Sequence, residues 1–234
     1  MKFNIENEIF GLFPGIRFVI AVAKDLRAGD PGKVAGELDA AWQYAAVEAL
    51  KYGNPQSHPN IAPWGVRMKA AGAPRKEFPS SIEALVRRAG KGGDPMRISP
   101  LVDFYNAVSM KYMVPAGGYD IDSLEHGLTL RLSREGDTFE VMDEAGAIGI
   151  PAGEVSYTDG TVVLTRHFVW KQSRQALITP ESRNVFFISE ILEEIPQETG
   201  DAVRRAFAEG ISRHFNAEAR TDILDSMNPG IDLE

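Results

Sequence analysis

The sequence contains no cysteine among its 234 residues. Disulfide bonds, thiolate metal sites and a cysteine nucleophile are therefore excluded. The sequence also has no apolar run of about 18 residues, the length that a membrane-spanning helix needs. The first stretch, "MKFNIENEIFGLF", lacks the basic start, apolar run and small-residue cleavage site of a signal peptide. We therefore expect a soluble, cytoplasmic protein with no membrane partner.

Motifs of the well-known enzyme classes are also missing. The chain has no GxxxxGK(S/T) phosphate loop, no GxGxxG after a strand, no HExxH and no GxSxG. The four histidines are far apart, and no two stand at the spacing of metal ligands: His58, His126, His167 and His214. A composite metal site of His58, Asp120 and Glu154 stays open, although 33 acidic residues produce such pairings by chance. We expect neither a metal nor another cofactor.

The composition is that of an ordinary globular protein, with 44% hydrophobic and 25% charged residues. Its length permits one large domain or two small ones. Because no stretch resembles a linker, we expect a single domain over residues 1–234. Its core would cover about residues 60–195, with a strand and helix added by 1–55 and a helix by 196–234.

Helices dominate the first half of the predicted structure. A strand over 16–26 precedes a Gly-Asp-Pro-Gly break, and an irregular loop is expected over 54–63. Asp30, followed by a proline, is placed to cap a helix that ends at Gly53. A short helix is expected over 64–71, a second one starts at Ser80 with a glutamate at capping-box spacing, and a third covers 100–112.

Strands dominate the centre of the chain, where the hydrophobic period changes from helical to alternating. Five segments are predicted as strands, "LTLRL", "FEVM", "EVSYT", "TVVLTRHFVW" and "NVFFISEI". An amphipathic helix closes the chain, with an inward face of Val203, Phe207, Ile211 and Phe215. The fold class is therefore α/β in the mixed α+β sense.

The exit of the helix 100–112 has an unusual composition. Pro115, Gly117 and Gly118 come just before Tyr119 and Asp120. Two glycines remove Cβ hindrance and expose N–H donors, which lets the backbone approach a ligand closely. A sharp turn explains the glycines equally well. For the aspartate, a capping role is the favoured interpretation.

Positive charge is concentrated in one segment of an acidic chain. Residues 67–97 hold eight basic and three acidic residues, which gives a local charge of +5. Because the net charge of the whole chain is −8, the other residues together carry −13. Such a segment attracts a phosphate backbone, although a solvated helix face is the alternative. The candidate RNA-binding residues are Arg67, Lys69, Arg75, Lys76, Arg87 and Arg88.

Six short stretches, taken in order, resemble the B3/B4 domain of the phenylalanyl-tRNA synthetase β subunit. They are "HPNIAPW", "VDFYNAVS", "VPAGGYD", "GEVSYTDG", "TRHFVWKQS" and "SRNVFF", which span about residues 60–195. The flanking segments are similar to those of free-standing B3/B4 proteins rather than full synthetases. The resemblance implies a mixed sheet with flanking helices.

In that family the domain is the editing site, where tyrosine wrongly attached to phenylalanine tRNA is hydrolysed from the terminal adenosine. The resemblance therefore implies an aminoacyl-tRNA deacylase that acts in trans on the aminoacylated 3′ end of a tRNA. A positioned water would attack the ester, without a side-chain nucleophile. The alternatives are a non-catalytic module that binds tRNA, another RNA or a free amino acid or metabolite, and a protein-interaction module.

The resemblance also implies site residues. The catalytic candidates are His58, Gly117, Gly118 and Glu154. His58 is either a general base in a loop over the pocket or a structural group, and Glu154 either orients water or lies in a surface turn. Arg166, Trp170 and Gln172 would alternate on one strand face, where they either bind phosphate and stack a base or form an amphipathic strand with one buried tryptophan. The substrate-binding candidates are Asn60, Tyr105, Asn106, Pro115, Ala116, Tyr119, Arg166, Trp170, Ser182, Asn184 and Ile188.

Three pocket positions depart from the family pattern. The exit usually reads P-(L/M)-H-A-F-D, and its histidine becomes Gly117. The threonine before the helix asparagine becomes Tyr105. Ile188 aligns best with the glutamate that contacts the tyrosine hydroxyl, whereas a shift of two residues brings Glu190 into that place. Tyrosine specificity is therefore not expected here, and the pocket would serve another aminoacyl group.

Overall fold

The computed structural model of the chain describes residues 1–27, 30–142 and 146–234. It is a mixed α/β fold, with helices on the outside of two sheets. The helices are α1 (Asn7–Leu12), α2 (Pro31–Lys51), α3 (Ala62–Ala70), α4 (Ser81–Gly90), α5 (Pro100–Tyr112) and α6 (Gln197–Phe215). The strands are β1 (Lys2–Ile5), β2 (Arg17–Ala23), β3 (Ala116–Asp120), β4 (Leu128–Leu132), β5 (Thr138–Glu140), β6 (Ala147–Gly149), β7 (Val155–Asp159), β8 (Val162–Arg166), β9 (Lys171–Gln172), β10 (Val185–Ile191), β11 (Ala219–Leu224) and β12 (Gly230–Asp232).

Side-chain caps set the helix starts that the sequence predicted. The Asp30 carboxylate accepts a 2.9 Å hydrogen bond from the N–H of Gly32, which satisfies a free donor of the first turn of α2. The Ser80 hydroxyl accepts from the N–H of Glu83 at the start of α4. The Glu83 carboxylate, however, binds side chains elsewhere rather than completing a capping box. Both predicted helix starts are confirmed.

Two sheets form the centre of the molecule. The first has the strand order β12-β1-β4-β7-β8-β5-β6, with β9 paired to β8, and the second has the order β11-β2-β10-β3. In the second sheet β10 lies between β2 and β3 and is antiparallel to both. The seven residues of β10 are all buried, so this strand is the centre of the core.

The two faces of β10 pack on different layers, because side chains alternate along a strand. Phe186 packs on Phe3 of the first sheet, with ring centroids 4.9 Å apart. Phe187 points the other way and packs on Phe207 of α6 at 5.9 Å and on Phe104 of α5 at 5.7 Å. The molecule therefore has three layers: the first sheet, the second sheet, and a layer with α5 and α6. The predicted inward face of the last helix is buried.

Strands at both ends of the chain were not predicted. β1 pairs with β12 antiparallel and with β4 in parallel, and β11 pairs with β2 along its length. These segments are short or carry exposed polar residues, and long-range pairing rather than local pattern makes them strands. The segment 196–234, predicted as a helix, therefore consists of a helix and two strands.

The predicted strand "TVVLTRHFVW" is too long. β8 ends at Arg166, since His167 and Phe168 have φ values of +45° and +64°, and the chain then turns back into β9. Thr165 faces Gln172 across this hairpin. The prediction that Arg166, Trp170 and Gln172 alternate on one strand face is therefore wrong.

The helix exit is a strand rather than an irregular turn. α5 ends at Met113, which has a left-handed conformation with φ +56°, and the chain then enters β3. β3 is the edge strand beside β10, in a register that places Gly117 opposite Ile188 and Gly118 opposite Phe187. Pairing with β10 therefore fixes on which face of the sheet each residue of β3 lies.

Among the described residues, no helix is both long enough and apolar enough to span a membrane.

Candidate functional site

A cavity of about 310 Å³ lies between the two sheets and helices α4 and α5. Its walls come from α4, α5, β3, β7, β8, β10 and the turn after β8. Of the predicted site residues, it brings together those of the α5 helix, the β3 exit, the β8–β9 turn and β10: Tyr105, Asn106, Ala116, Gly117, Gly118, Tyr119, Trp170 and Ile188. Predicted site residues that are up to about eighty positions apart in sequence thus line the same cavity.

Glu190 lines this cavity and is only 4% exposed. Its carboxylate accepts a 2.6 Å hydrogen bond from the Tyr157 hydroxyl, which crosses from the first sheet. Burial raises the pKa of Glu190 to about 7, an effect that the Tyr157 hydrogen bond opposes. Beside it, Tyr119 and Thr165 share a 2.7 Å hydrogen bond between their hydroxyls.

Sequence reasoning named Glu190 only as an alternative to Ile188. Both residues line the cavity, because they lie two positions apart on the same face of β10. Tyr157 and Thr165 were missed as site residues. The alternation of "EVSYT" and "TVVLT" places these side chains on a definite strand face, but only the tertiary structure shows what that face meets.

The two glycines of the exit differ in their surroundings. A Cβ at Gly117 would have no atom within 4 Å, so its open side faces the cavity. A Cβ at Gly118 would lie 2.7 Å from Ile178 and 2.8 Å from Phe187. Gly118 is therefore required by the packing of the core, whereas Gly117 leaves space in the cavity.

Their backbone groups differ too. The N–H of Ile121 donates to the carbonyl of Asn184, and hydrogen-bonded pairs recur at every second residue of an antiparallel ladder. Gly117 therefore falls at a position that bonds to β10, and Gly118 has its N–H and C=O turned away from β10. The Gly118 carbonyl accepts a 3.0 Å hydrogen bond from the side chain of Gln172.

His58 and Asn60 lie outside the cavity. The imidazole of His58 packs edge-on against Tyr52, accepts a hydrogen bond from the N–H of Asn60 and lies 3.7 Å from the Glu48 carboxylate. The Asn60 side chain donates to the carbonyl of Tyr112 at the end of α5. Burial lowers the pKa of His58. These contacts hold the loop to the helices, and the loop does not cover the cavity as expected.

Glu154 and Arg166 form a partly buried ion pair away from the cavity. The Arg166 guanidinium donates two hydrogen bonds to the Glu154 carboxylate, at 2.9 and 2.7 Å, and the N–H of His167 donates a third. Of the two alternatives for Glu154, a surface position is wrong, since this residue is buried directly after the turn at Gly153. The ion pair fixes the turn after β8 at which the chain reverses.

Ser182, Asn184 and Pro115 also have structural partners. The Ser182 hydroxyl donates to the Asp120 carboxylate at 2.5 Å, and the Asn184 side chain donates to Asp122. Asp120 in addition accepts from the N–H of Asp122, which confirms its expected capping role. The Pro115 carbonyl accepts from Ser189 on β10. None of these three predicted site residues lines the cavity.

The predicted basic surface is partly neutralised. Arg75 and Arg87 both pair with Glu83, an acid that is 1% exposed, and Gln56 donates to the same carboxylate. Arg67 pairs with Glu194 at 2.7 Å. Three of the six predicted RNA-binding residues are exposed and have no ion pair with another described residue: Lys69, Lys76 and Arg88.

Of these, Arg88 lines the cavity, so one exposed cation stands at the site itself. Within the described ranges, no three acidic or histidine side chains are close enough to hold a metal ion. The composite site of His58, Asp120 and Glu154 is therefore not formed.

Comparison with known proteins connects this fold to a family. The family model of the B3/4 domain matches residues 69–218. Among solved structures, an N-terminal fragment of the phenylalanyl-tRNA synthetase beta subunit from Pyrococcus horikoshii is similar, with a TM-score of 0.46 and 10% sequence identity. That alignment covers 93% of this chain and 50% of the fragment, so this chain spans half the fragment's length. No curated protein sequence matches this chain.

Proposed function

Because the chain belongs to the B3/4 domain family, we propose that it binds the aminoacylated 3′ end of a tRNA and hydrolyses a mischarged aminoacyl ester in trans. The chemical need for such a protein is general. A pocket that selects between side chains of similar shape discriminates only modestly, so a separate hydrolytic site removes errors. This activity belongs in the cytoplasm, where charged tRNA is used.

One observation supports this proposal above the others. The cavity gathers the predicted substrate residues of α5, β3 and β10 around about 310 Å³, which is within the size range of small-ligand pockets. Its walls combine aromatic rings with a few polar groups, among them Asn106, Gln172 and Glu190. Such a lining suits one aminoacyl group, with the ribose and the rest of the tRNA outside.

We assign the chemistry to a positioned water. Water attacks the ester carbonyl, the tetrahedral intermediate collapses, and the proton gained from the water leaves with the ribose oxygen as a hydroxyl. The N–H of Gly118, which is turned away from β10, stabilises the negative charge that develops on the carbonyl oxygen. Asn106 holds the ester in place. The N–H of Gly117 is less suited to this task, because the strand register directs it to β10.

We assign tRNA binding to the exposed cations of the segment 67–97. Arg88 lines the cavity and meets the phosphates next to the terminal adenosine, and the exposed Lys69 and Lys76 supply further phosphate contacts. Arg67, Arg75 and Arg87 contribute less, since carboxylates of the same chain already pair with them. The half-buried ring of Trp170 is available for a base to stack on.

A deacylation assay tests the proposal. Purified protein is added to a panel of tRNAs, each charged with a wrong amino acid, and release of the amino acid is followed. We expect hydrolysis of one or a few members of the panel, and a rate about a hundredfold lower with Asn106→Ala. Absence of hydrolysis across the whole panel would end the proposal.

A binding module without catalysis is the second candidate. Two of the four predicted catalytic residues, His58 and Glu154, lie outside the cavity and are engaged in structural contacts. The same assay separates the two functions. A protein that binds charged tRNA with micromolar affinity and hydrolyses none of it is a binding module for tRNA or for a free amino acid.

A further inference from the structure

The deep end of the cavity holds a carboxylate among aromatic rings. The rings of Tyr119 and Tyr157 are 5.6 Å apart, and those of Tyr157 and Phe168 are 6.1 Å apart. Glu190 lies beside them and, among the described side chains, accepts a hydrogen bond from the Tyr157 hydroxyl alone. Aromatic rings attract organic ammonium groups through their π faces, and a neighbouring carboxylate adds the opposite charge.

The other groups around Glu190 offer it no positive charge. Tyr157 faces it from β7 and Tyr119 from β3, and Tyr105 of α5 lines the same cavity. All three are neutral at pH 7, and burial raises the pKa of each further. Among the described lining residues the one cation is Arg88 of α4, whose side chain is exposed and forms no ion pair with Glu190. A charged Glu190 thus lacks a counter-ion among the residues that the structure describes.

We propose that the cavity binds the cationic amine of an aminoacyl ligand, with the ammonium group on the Glu190 carboxylate and the rings of Tyr119 and Tyr157 as its walls. That the ligand is an aminoacyl group rests on the function proposed above, whereas the preference for an amine rests on the cavity alone. Two amines have this chemistry: the α-ammonium of any aminoacyl group and the side-chain ammonium of a basic one.

Energetics favour this ligand class over a neutral one. A buried carboxylate without a positively charged partner is unfavourable, so burial raises the pKa of Glu190 to about 7 and the carboxyl keeps part of its protonation at neutral pH. An ammonium group supplies the missing charge, and the carboxyl then gives its proton to the solvent. A neutral ligand leaves the proton in place. Amine binding is therefore linked to proton release.

Titration calorimetry with three small esters tests the inference without tRNA. L-Lysine methyl ester has both amines, L-norleucine methyl ester has only the α-amine, and N-acetyl-L-norleucine methyl ester has neither. Stronger binding of the lysine ester than of the norleucine ester identifies the side-chain amine. Equal binding of these two, with loss of binding for the acetylated ester, identifies the α-ammonium.

The pH dependence and two variants sharpen the test. Affinity for the side-chain ammonium of L-lysine methyl ester, which stays charged over this range, rises between pH 6 and pH 8 as Glu190 loses its proton, and binding releases a proton from that carboxyl. The α-ammonium of an ester itself loses its proton at about pH 8, so binding through the α-amine instead passes through a maximum near neutral pH. Glu190→Gln, which keeps the shape and removes the charge, lowers amine affinity by about 10-fold to 100-fold and abolishes the proton release. The exposed Glu135→Gln is the matched control and changes neither quantity.

The inference is overturned if the acetylated ester binds as well as the lysine ester, if no amine ester binds, or if Glu190→Gln binds the amine esters normally. These outcomes are independent of the deacylation assay. If the protein binds amine esters but cleaves no charged tRNA, this inference stands and the proposed function is wrong. If it cleaves charged tRNA but binds no amine ester, the proposed function stands and this inference is wrong.

Discussion

The hydroxyl of Tyr157 on the first sheet donates a 2.6 Å hydrogen bond to Glu190 on the second, and both residues are buried. This bond ties the two sheets together at the deep end of the cavity. It also leaves an acid in a place that disfavours its charge. The stability of the fold and the chemistry of the cavity thus depend on the same carboxyl group.

The first prediction concerns stability and pH. Folding raises the pKa of Glu190 from 4.5 to about 7, so the folded protein binds more protons than the unfolded chain between those values. The free energy of unfolding therefore falls as pH rises through this window. Glu190→Gln removes the effect, and the variant should exceed the parent by up to about 3 kcal/mol at pH 8.

Urea unfolding at pH 5 and pH 8 measures this difference. At pH 5 the advantage of the variant should be small, because the parent carboxyl is then largely protonated in the folded state. A variant that is equally favoured at both pH values would show that Glu190 does not titrate in this range.

The second prediction separates the two glycines of β3. Gly118→Ala places a Cβ 2.7 Å from Ile178 and 2.8 Å from Phe187, and overpacking of this kind costs about 1–3 kcal/mol. Gly117→Ala meets nothing within 4 Å, so its stability should stay within about 0.5 kcal/mol of the parent. Thermal unfolding compares the two variants directly.

Because the Gly117 methyl group would enter the cavity, Gly117→Ala should weaken ligand binding while the fold stays intact. Norleucine methyl ester is a suitable probe. Unchanged binding in Gly117→Ala would mean that the ligand does not reach this wall.

The third prediction concerns the basic surface. Charge reversal of Lys76 and Arg88 should weaken tRNA binding and lower the slope of log affinity against log salt by about two, since two phosphate contacts are lost. Filter binding at several salt concentrations gives the slope. If the slope equals that of the parent, these residues do not contact tRNA phosphates and contribute only to solubility.

Arg87→Glu is the contrasting variant. It puts a second acid beside Glu83, which is 1% exposed but still pairs with Arg75, and so should destabilise the fold by about 1–3 kcal/mol. The tRNA affinity of this variant is measured only at a low temperature, at which the protein stays folded. The two variants thus separate exposed from structurally paired cations.

The fourth prediction concerns His58 and Glu154. His58→Ala removes contacts to Tyr52 and Asn60 far from the cavity, so it should lower the melting temperature and leave the deacylation rate per folded molecule unchanged. Glu154→Gln weakens a partly buried ion pair with Arg166 and should act in the same way. A lower deacylation rate with unchanged stability would show that the substituted residue acts in catalysis.

The fifth prediction concerns domain organisation. β1 pairs with β12 and β11 pairs with β2, so the two chain ends join the same sheets as the centre. We propose that residues 1–234 are one domain, and fluorescence and circular dichroism should then report a single coincident unfolding transition. Two separate transitions would contradict it.

Local sequence determined the elements that carry their own signal. The caps at Asp30 and Ser80 fix where α2 and α4 begin, since a side-chain oxygen satisfies an N–H that the helix leaves free. The alternating pattern of "NVFFISEI" gives β10 and its two faces. The order of the short motifs led to the family, and through it to the residues of α5, β3 and β10 that share the cavity.

Only the tertiary structure decided which candidates meet. His58 and Glu154 have the chemistry of catalysts, yet long-range partners such as Glu48 and Arg166 draw them into other parts of the fold. Conversely, Tyr157 reaches the cavity because the packing of the first sheet on the second brings β7 near β10, thirty-three residues away in sequence. The local sequence determines which side chains share one face of a strand. What that face contacts depends on how the two sheets pack, and this packing depends on residues from the whole chain.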